Sequence, residues 1–89
     1  MREIILHRRA ARYLRRMPKD RQIQMRDALR AVAELADITG HPGVKPLGGD
    51  LSGWCRLRVG VYRALLQPRE TAGTEVLFVD YIGPRSDAY

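Results

Sequence analysis

The segment Trp54-Cys55-Arg56-Leu57-Arg58-Val59-Gly60-Val61-Tyr62-Arg63 alternates apolar residues with arginines. That is the period of an extended strand. It sets Trp54, Arg56 and Arg58 on one face and Cys55, Leu57 and Val59 on the other. One face suits a core and the other suits an anion. The chain ends Gly83-Pro84-Arg85-Ser86-Asp87-Ala88-Tyr89, which adds another guanidinium and a phenol. A guanidinium matches phosphate bidentately and stacks on aromatic rings. The combination reads as a surface for holding RNA, with cutting it as the further chemistry.

Composition agrees with an anionic partner. Sixteen Lys and Arg stand against ten Asp and Glu, for a net charge of +6. Only Lys19 and Lys45 of those cations are lysines. A basic small protein is expected to meet nucleic acid or an acidic protein. A codon bias toward arginine would account for part of the excess. At 89 residues the chain is read as a single domain over residues 1–89. Hydrophobic residues make up 45% and charged residues 29%, which is ordinary for a globular protein. No apolar run approaches the roughly 20 residues of a membrane span. The stretch Met1–His7 has too short an apolar core for a signal peptide, so a cytoplasmic location is expected. The one cysteine, Cys55, excludes an internal disulfide and fits a reducing compartment.

Several elements must position these residues. Residues 2–6 read as a strand through Ile4, Ile5 and Leu6. Residues 8–16 read as a helix with Ala10, Tyr13, Leu14 and Met17 at helical spacing. Its other positions, Arg8, Arg9, Arg12, Arg15 and Arg16, are cationic. Pro18 suits the first turn of a new helix. That helix runs over 19–37, with Ile23 or Met25, Leu29, Val32 and Leu35 or Ala36 along one stripe, and stops at Gly40. Residues 39–52 hold four glycines and two prolines, which predicts a loop without regular structure. Strands follow at 53–59 and 61–67, turned at Gly60. A polar hairpin loop is expected at 68–74, and a central apolar strand at 75–82. The order β-α-α-β-β-β predicts an α+β domain, a helical hairpin packed on a small, mostly antiparallel sheet.

The chain resembles the RelE/ParE superfamily of toxins from bacterial toxin–antitoxin systems. The resemblance spans nearly the whole chain. It is carried by His7-Arg8-Arg9-Ala10-Ala11-Arg12-Tyr13-Leu14-Arg15-Arg16-Met17-Pro18, by Lys45-Pro46-Leu47, and by Gly49-Asp50-Leu51-Ser52-Gly53. Its most specific piece is Arg56-Leu57-Arg58-Val59-Gly60-Val61-Tyr62-Arg63, and it ends at Ile82-Gly83-Pro84-Arg85 and Tyr89. RelE-like members cleave mRNA in the ribosomal A site, whereas ParE-like members inhibit DNA gyrase without cutting RNA. The ending G-x-R-x-x-x-Y is common among RelE-like nucleases and favours the first. The resemblance implies the RelE-like microbial RNase fold, an mRNA endoribonuclease and no metal or other cofactor. It implies a cognate antitoxin, the ribosome and mRNA as partners, and operator DNA through the antitoxin. By position, Arg63 resembles the arginine that stabilises the phosphate, Arg85 the C-terminal catalytic arginine, and Tyr89 the terminal catalytic tyrosine. Arg56, Arg58, Trp54 and Lys45 form the implied RNA-binding set. Trp54 stands where the best-known member has a lysine, and Pro84 where many relatives have a histidine. Those departures keep a catalytically weak, co-repressing member as an alternative beside the gyrase inhibitor.

RNA cleavage of this type needs a group that takes the 2′-OH proton, charge that stabilises the phosphorane, and a proton for the leaving 5′-oxygen. Arg63 and Arg85 suit the second task. A phenol such as Tyr89 has an ordinary pKa of about 10, and nearby guanidinia favour its phenolate. Guanidinium itself is a poor acid. The site is therefore electrostatic first, with the ribosome holding the RNA in line. Each residue also has a plainer reading. Arg56 and Arg58 are a solvated strand face, Arg63 pairs with Asp80, Trp54 is core or interface, and Tyr89 is a chain end. The helical arginines touch ribosomal phosphates or only water. His7 and His41 lack ligand or carboxylate partners at diagnostic spacing, and Cys55 reads as a buried small hydrophobe. There is no phosphate loop and no zinc signature.

Overall fold

A computed structural model describes residues 1–86. Strand β1 (Glu3–Leu6) leads into helices α1 (Arg8–Arg16) and α2 (Lys19–Glu34). Three strands were expected after them, and four are present: β2 (Val44–Pro46), β3 (Cys55–Val59), β4 (Tyr62–Thr71) and β5 (Thr74–Pro84). They form one five-stranded sheet in the order β1-β5-β4-β3-β2. Only β1 and β5 run parallel, and the other pairs are antiparallel. The α+β class, the two helices on one side of a mostly antiparallel sheet, and a central position for β5 all match expectation.

Local chemistry explains the helix boundaries. His7 caps α1, its ring Nδ1 accepting from the Arg9 N–H at 3.1 Å. The last carbonyls of α1 are met from α2, where the Gln22 side-chain amide donates to Arg15 O at 3.1 Å and Met17 O at 2.9 Å. Helix α2 ends at Glu34, three residues before the expected 37, because Leu35 turns extended. The Arg2 guanidinium donates to Leu35 O, and to Ala36 O at 2.9 Å, and so holds the chain in that exit. Met25, not Ile23, faces the core: Met25 is fully buried and Ile23 is 54% exposed.

The helices and one sheet face enclose a core whose most buried members include Leu14, Met25, Leu29, Leu57, Leu66, Leu77 and Ile82. Along β3 the expected alternation holds, with Cys55 and Leu57 buried and Arg58 exposed. Burial, and secondarily the charge of Asp37, pushes the Cys55 thiol pKa up, so the sulfur stays a protonated hydrophobe.

Two expectations about loops are corrected. The segment 39–52 contains β2, with short 3-10 turns at Ile38–Gly40 and Gly49–Leu51 on either side. Gly43 makes β2 possible: a Cβ there would lie 2.9 Å from Arg58 O, and the Gly43 carbonyl accepts from Arg58 N–H at 3.0 Å. Pro46 is tolerated because β2 is an edge strand. The hairpin expected at 68–74 is present, but its loop is shorter than predicted. Pairing continues to Thr71 and Thr74, and Ala72 and Gly73 turn the chain with φ of 51° and 80°. Both positive angles fit the tight turn that matches strand twist. Pro68 sits in β4 beyond Leu66, the last residue paired to β3, where a missing N–H is tolerated.

Candidate nucleic-acid interface

The helices cover one face of the sheet, and among the described residues no element covers the other. Cross-strand partners share a face, so the register shows what the open face carries. Lys45 lies opposite Arg56, and Arg56 opposite Leu65. One step along, Arg58 lies opposite Arg63, and Arg63 opposite Gly83. Like charges directly opposite each other are destabilising. The sheet therefore holds two such cation pairs in adjacent rows, on a face open to solvent. Among the described residues, no carboxylate pairs with Lys45, Arg56 or Arg58. Lys45, Arg56 and Arg58 also line a cleft of about 420 Å³ that runs past Pro42 and Gly43 to Gly60.

Arg63 and Arg85 are brought together at the end of this face. The chain leaves β5 at Pro84, and the Arg85 N–H donates to Val61 O at 2.6 Å. That bond ties the segment after β5 to the tight turn between β3 and β4. The Arg63 guanidinium donates to the Arg85 carbonyl oxygen. Arg85 itself is exposed, and Arg63 is half-buried. The alternative pairing of Arg63 with Asp80 is not formed. Asp80 is the extra residue of a bulge in β5, where the register shifts between Leu65 and Leu66. It is held by Arg9 of α1, which forms an ion pair with the carboxylate and donates from Nε to Asp80 O at 3.0 Å. Tyr89 lies outside the described residues.

Two further features come from tertiary placement. Trp54 is on the open face as expected, but its ring meets Phe78, with centroids 6.2 Å apart, and not the Arg58–Arg63 row. Tyr81, read from sequence only as part of an apolar strand, is placed beside the arginines. Its phenol lies over Gly83, so that a Cβ at Gly83 would overlap the hydroxyl and sit 2.6 Å from Cζ. Gly83 is the residue opposite Arg63. The tyrosine tip thus fills the space where a side chain facing Arg63 would stand. Arg9 reaches the same ring, its Cζ 5.9 Å from the centroid. The sequence signal for this was the Tyr-x-Gly spacing, since residues two apart in a strand share a face.

His41 does not enter the face. Its Nδ1 accepts from Gly43 N–H at 2.9 Å and shapes the turn before β2. Arg8, Arg12, Arg15 and Arg16 remain exposed along α1. No helix among the described residues is long and apolar enough to cross a membrane.

No protein-family model matches the chain, and no curated protein does. Solved structures do. The RelE–RelB complex of the archaeon Pyrococcus horikoshii OT3 matches with a TM-score of 0.72 at 21% identity, over 98% of each chain. The YoeB/ParE toxin from Agrobacterium tumefaciens matches with a TM-score of 0.68 at 14% identity, over 92% of this chain and 97% of that one. The toxin–antitoxin complex RelBE2 from Mycobacterium tuberculosis matches with a TM-score of 0.60 at 20% identity, over 94% and 98%. The chain has the fold of the RelE/ParE toxins.

Proposed function

We propose that this chain is the toxin of a toxin–antitoxin pair, and that it is a ribosome-dependent endoribonuclease that cleaves mRNA in the A site. The observation that carries this reading is the stacking of Lys45 opposite Arg56 and Arg58 opposite Arg63 on an uncovered sheet face. A fold tolerates such repulsion most readily where a polyanion relieves it. Lys45, Arg56 and Arg58 hold the RNA backbone. Arg63 and Arg85 grip the oxygens of the scissile phosphate. The 2′-OH attacks phosphorus, the P–O5′ bond breaks, and the departing oxygen takes up a proton. Arginines placed for the extra negative charge of the phosphorane stabilise the transition state more than the ground state. The deciding experiment is induction of the chain in cells. Cuts within translated codons support the reading. DNA damage with intact mRNA would instead make the chain a gyrase inhibitor of the ParE kind.

Tyr89 is assigned the 2′-OH, either as proton acceptor or as its orienting partner. Tyr89→Phe is expected to leave affinity for programmed ribosomes unchanged and to slow single-turnover cleavage a few-fold. A Phe variant at the wild-type rate removes Tyr89 from proton transfer and leaves it a packing role.

The partner is an antitoxin with an acidic segment that orders as it binds. One of the similar structures is a toxin–antitoxin complex and another is a RelE–RelB complex. The exposed cations Arg8, Arg12 and Arg15 on α1 give that segment its electrostatic complement. Association with the protein encoded beside this chain should slow about tenfold or more from low to high salt, as steering is screened. A salt-independent rate would show that the basic helix plays no part in the encounter. Through such an antitoxin the pair would reach operator DNA.

A further inference from the structure

The open face has a second zone, distinct in chemistry from the cationic rows. Trp54 and Phe78 lie there tilted against each other, with 59° between their planes. Both are half-buried, and Ile5, opposite Phe78 in register, is 39% exposed. Arg69 of β4 folds over the pair, its Cζ 4.1 Å from the Phe78 centroid and 5.4 Å from that of Trp54. It is held in that pose by its Nε, which donates to Gln67 Oε1 at 2.6 Å. Gln67 is itself tied to the chain before β3, its amide donating to Gly53 O at 3.1 Å. The outcome is a braced stack of two rings and a guanidinium, with Arg69 exposed to solvent.

A stack of this kind offers a flat cationic surface. Nucleobases stack on guanidinium planes and on aromatic rings, and they do so with little regard to sequence. The zone is continuous with the cationic rows. Trp54, Arg56 and Arg58 follow one another on the same face at two-residue steps of about 6.6 Å. An RNA backbone lying along Arg56 and Arg58 therefore brings a neighbouring base to the platform. We propose that Arg69, Phe78 and Trp54 form a nucleobase-stacking subsite for single-stranded RNA flanking the phosphate held at Arg63. The proposal rests on the nuclease reading and adds where an adjacent base sits and what holds it.

Trp54 is the one tryptophan of the chain, so its fluorescence reports on the platform directly. The probe is a short 2′-O-methyl oligonucleotide, which lacks the cleavage nucleophile, compared with the same backbone carrying abasic residues. The wild-type protein should show quenched tryptophan emission with the base-bearing strand. It should bind that strand at least about fivefold more tightly than the abasic one, the low end of what one stacked base contributes. Arg69→Ala and Arg69→Lys should each erase most of that preference, the lysine because it keeps the charge and loses the plane. A thermal melt shows that each variant is folded. Equal affinity for the two strands, or a preference that survives both Arg69 variants, overturns the subsite. Quenching by an acidic antitoxin peptide and not by RNA also overturns it and gives the platform to the protein partner. A protein that binds neither strand overturns the subsite, while the nuclease reading stands or falls separately on the induction experiment. Base-independent binding that depends on Arg63 overturns the subsite alone.

Discussion

Arg63→Ala and Arg85→Ala are each expected to lower mRNA cleavage on programmed ribosomes at least about tenfold, equivalent to roughly 1.4 kcal/mol of transition-state stabilisation. The fold should survive both changes. Arg85 is exposed, and Arg63 lies on the open face outside the core cluster. The two losses should not be equal. Arg63 donates to the Arg85 carbonyl, so removing it deletes one charge and also the tether that positions the other. Arg85→Ala deletes only a side chain, and its backbone bond to Val61 O remains. The double variant should then fall short of the product of the single losses, as residues in one network do. Arg63→Lys tests geometry apart from charge, since an ammonium cannot grip two oxygens in parallel. It should recover little. Full toxicity in both alanine variants would remove the phosphate role from this pair.

Gly83→Ala is expected to slow cleavage about tenfold although it adds a single methyl group. The new Cβ would collide with the Tyr81 phenol. The ring is the side that can move, so the stability cost should stay within the 1–3 kcal/mol typical of overpacking. The displaced phenol would leave the space beside Gly83, the residue opposite Arg63. Tyr81→Ala removes the collision. Adding Gly83→Ala to that background should therefore cost no further stability, and the cycle measures the contact. Cleavage by Gly83→Ala at the wild-type rate would show that the placement of Tyr81 is immaterial to the site.

The periodicity of single elements was legible in the chain. The arginine alternation in β3 appears as drawn, with Leu57 inside and Arg58 outside. The break at Pro18 and the stripe through Met25, Leu29 and Val32 also hold, although the helix stops before Leu35 and Ala36. These features depend on residues a few positions apart, so a linear reading captures them. Elements that depend on a distant partner were missed. Strand β2 has no period of its own in three residues, and it exists because Gly43 can approach Arg58. The β4–β5 hairpin runs through Pro68 because β3 ends before reaching it.

The site divides along the same line. Residue types and spacing determined that Lys45, Arg56, Arg58, Arg63 and Arg85 are a cationic set, and that a strand face would carry part of it. Register decided the rest. Pairing put Arg58 against Arg63 and Lys45 against Arg56, and it left Gly83 opposite Arg63 as the gap that Tyr81 fills. It gave Asp80 to Arg9, from a helix 71 positions earlier in the chain. It also gave Trp54 to Phe78 and Arg69. A slip of one residue in any ladder would turn each of these side chains to the other face. The burial of Leu57, Leu66 and Leu77 in the core, with the tight hairpin turns, opposes that slip, and so the buried face of the sheet helps set the chemistry of the open one.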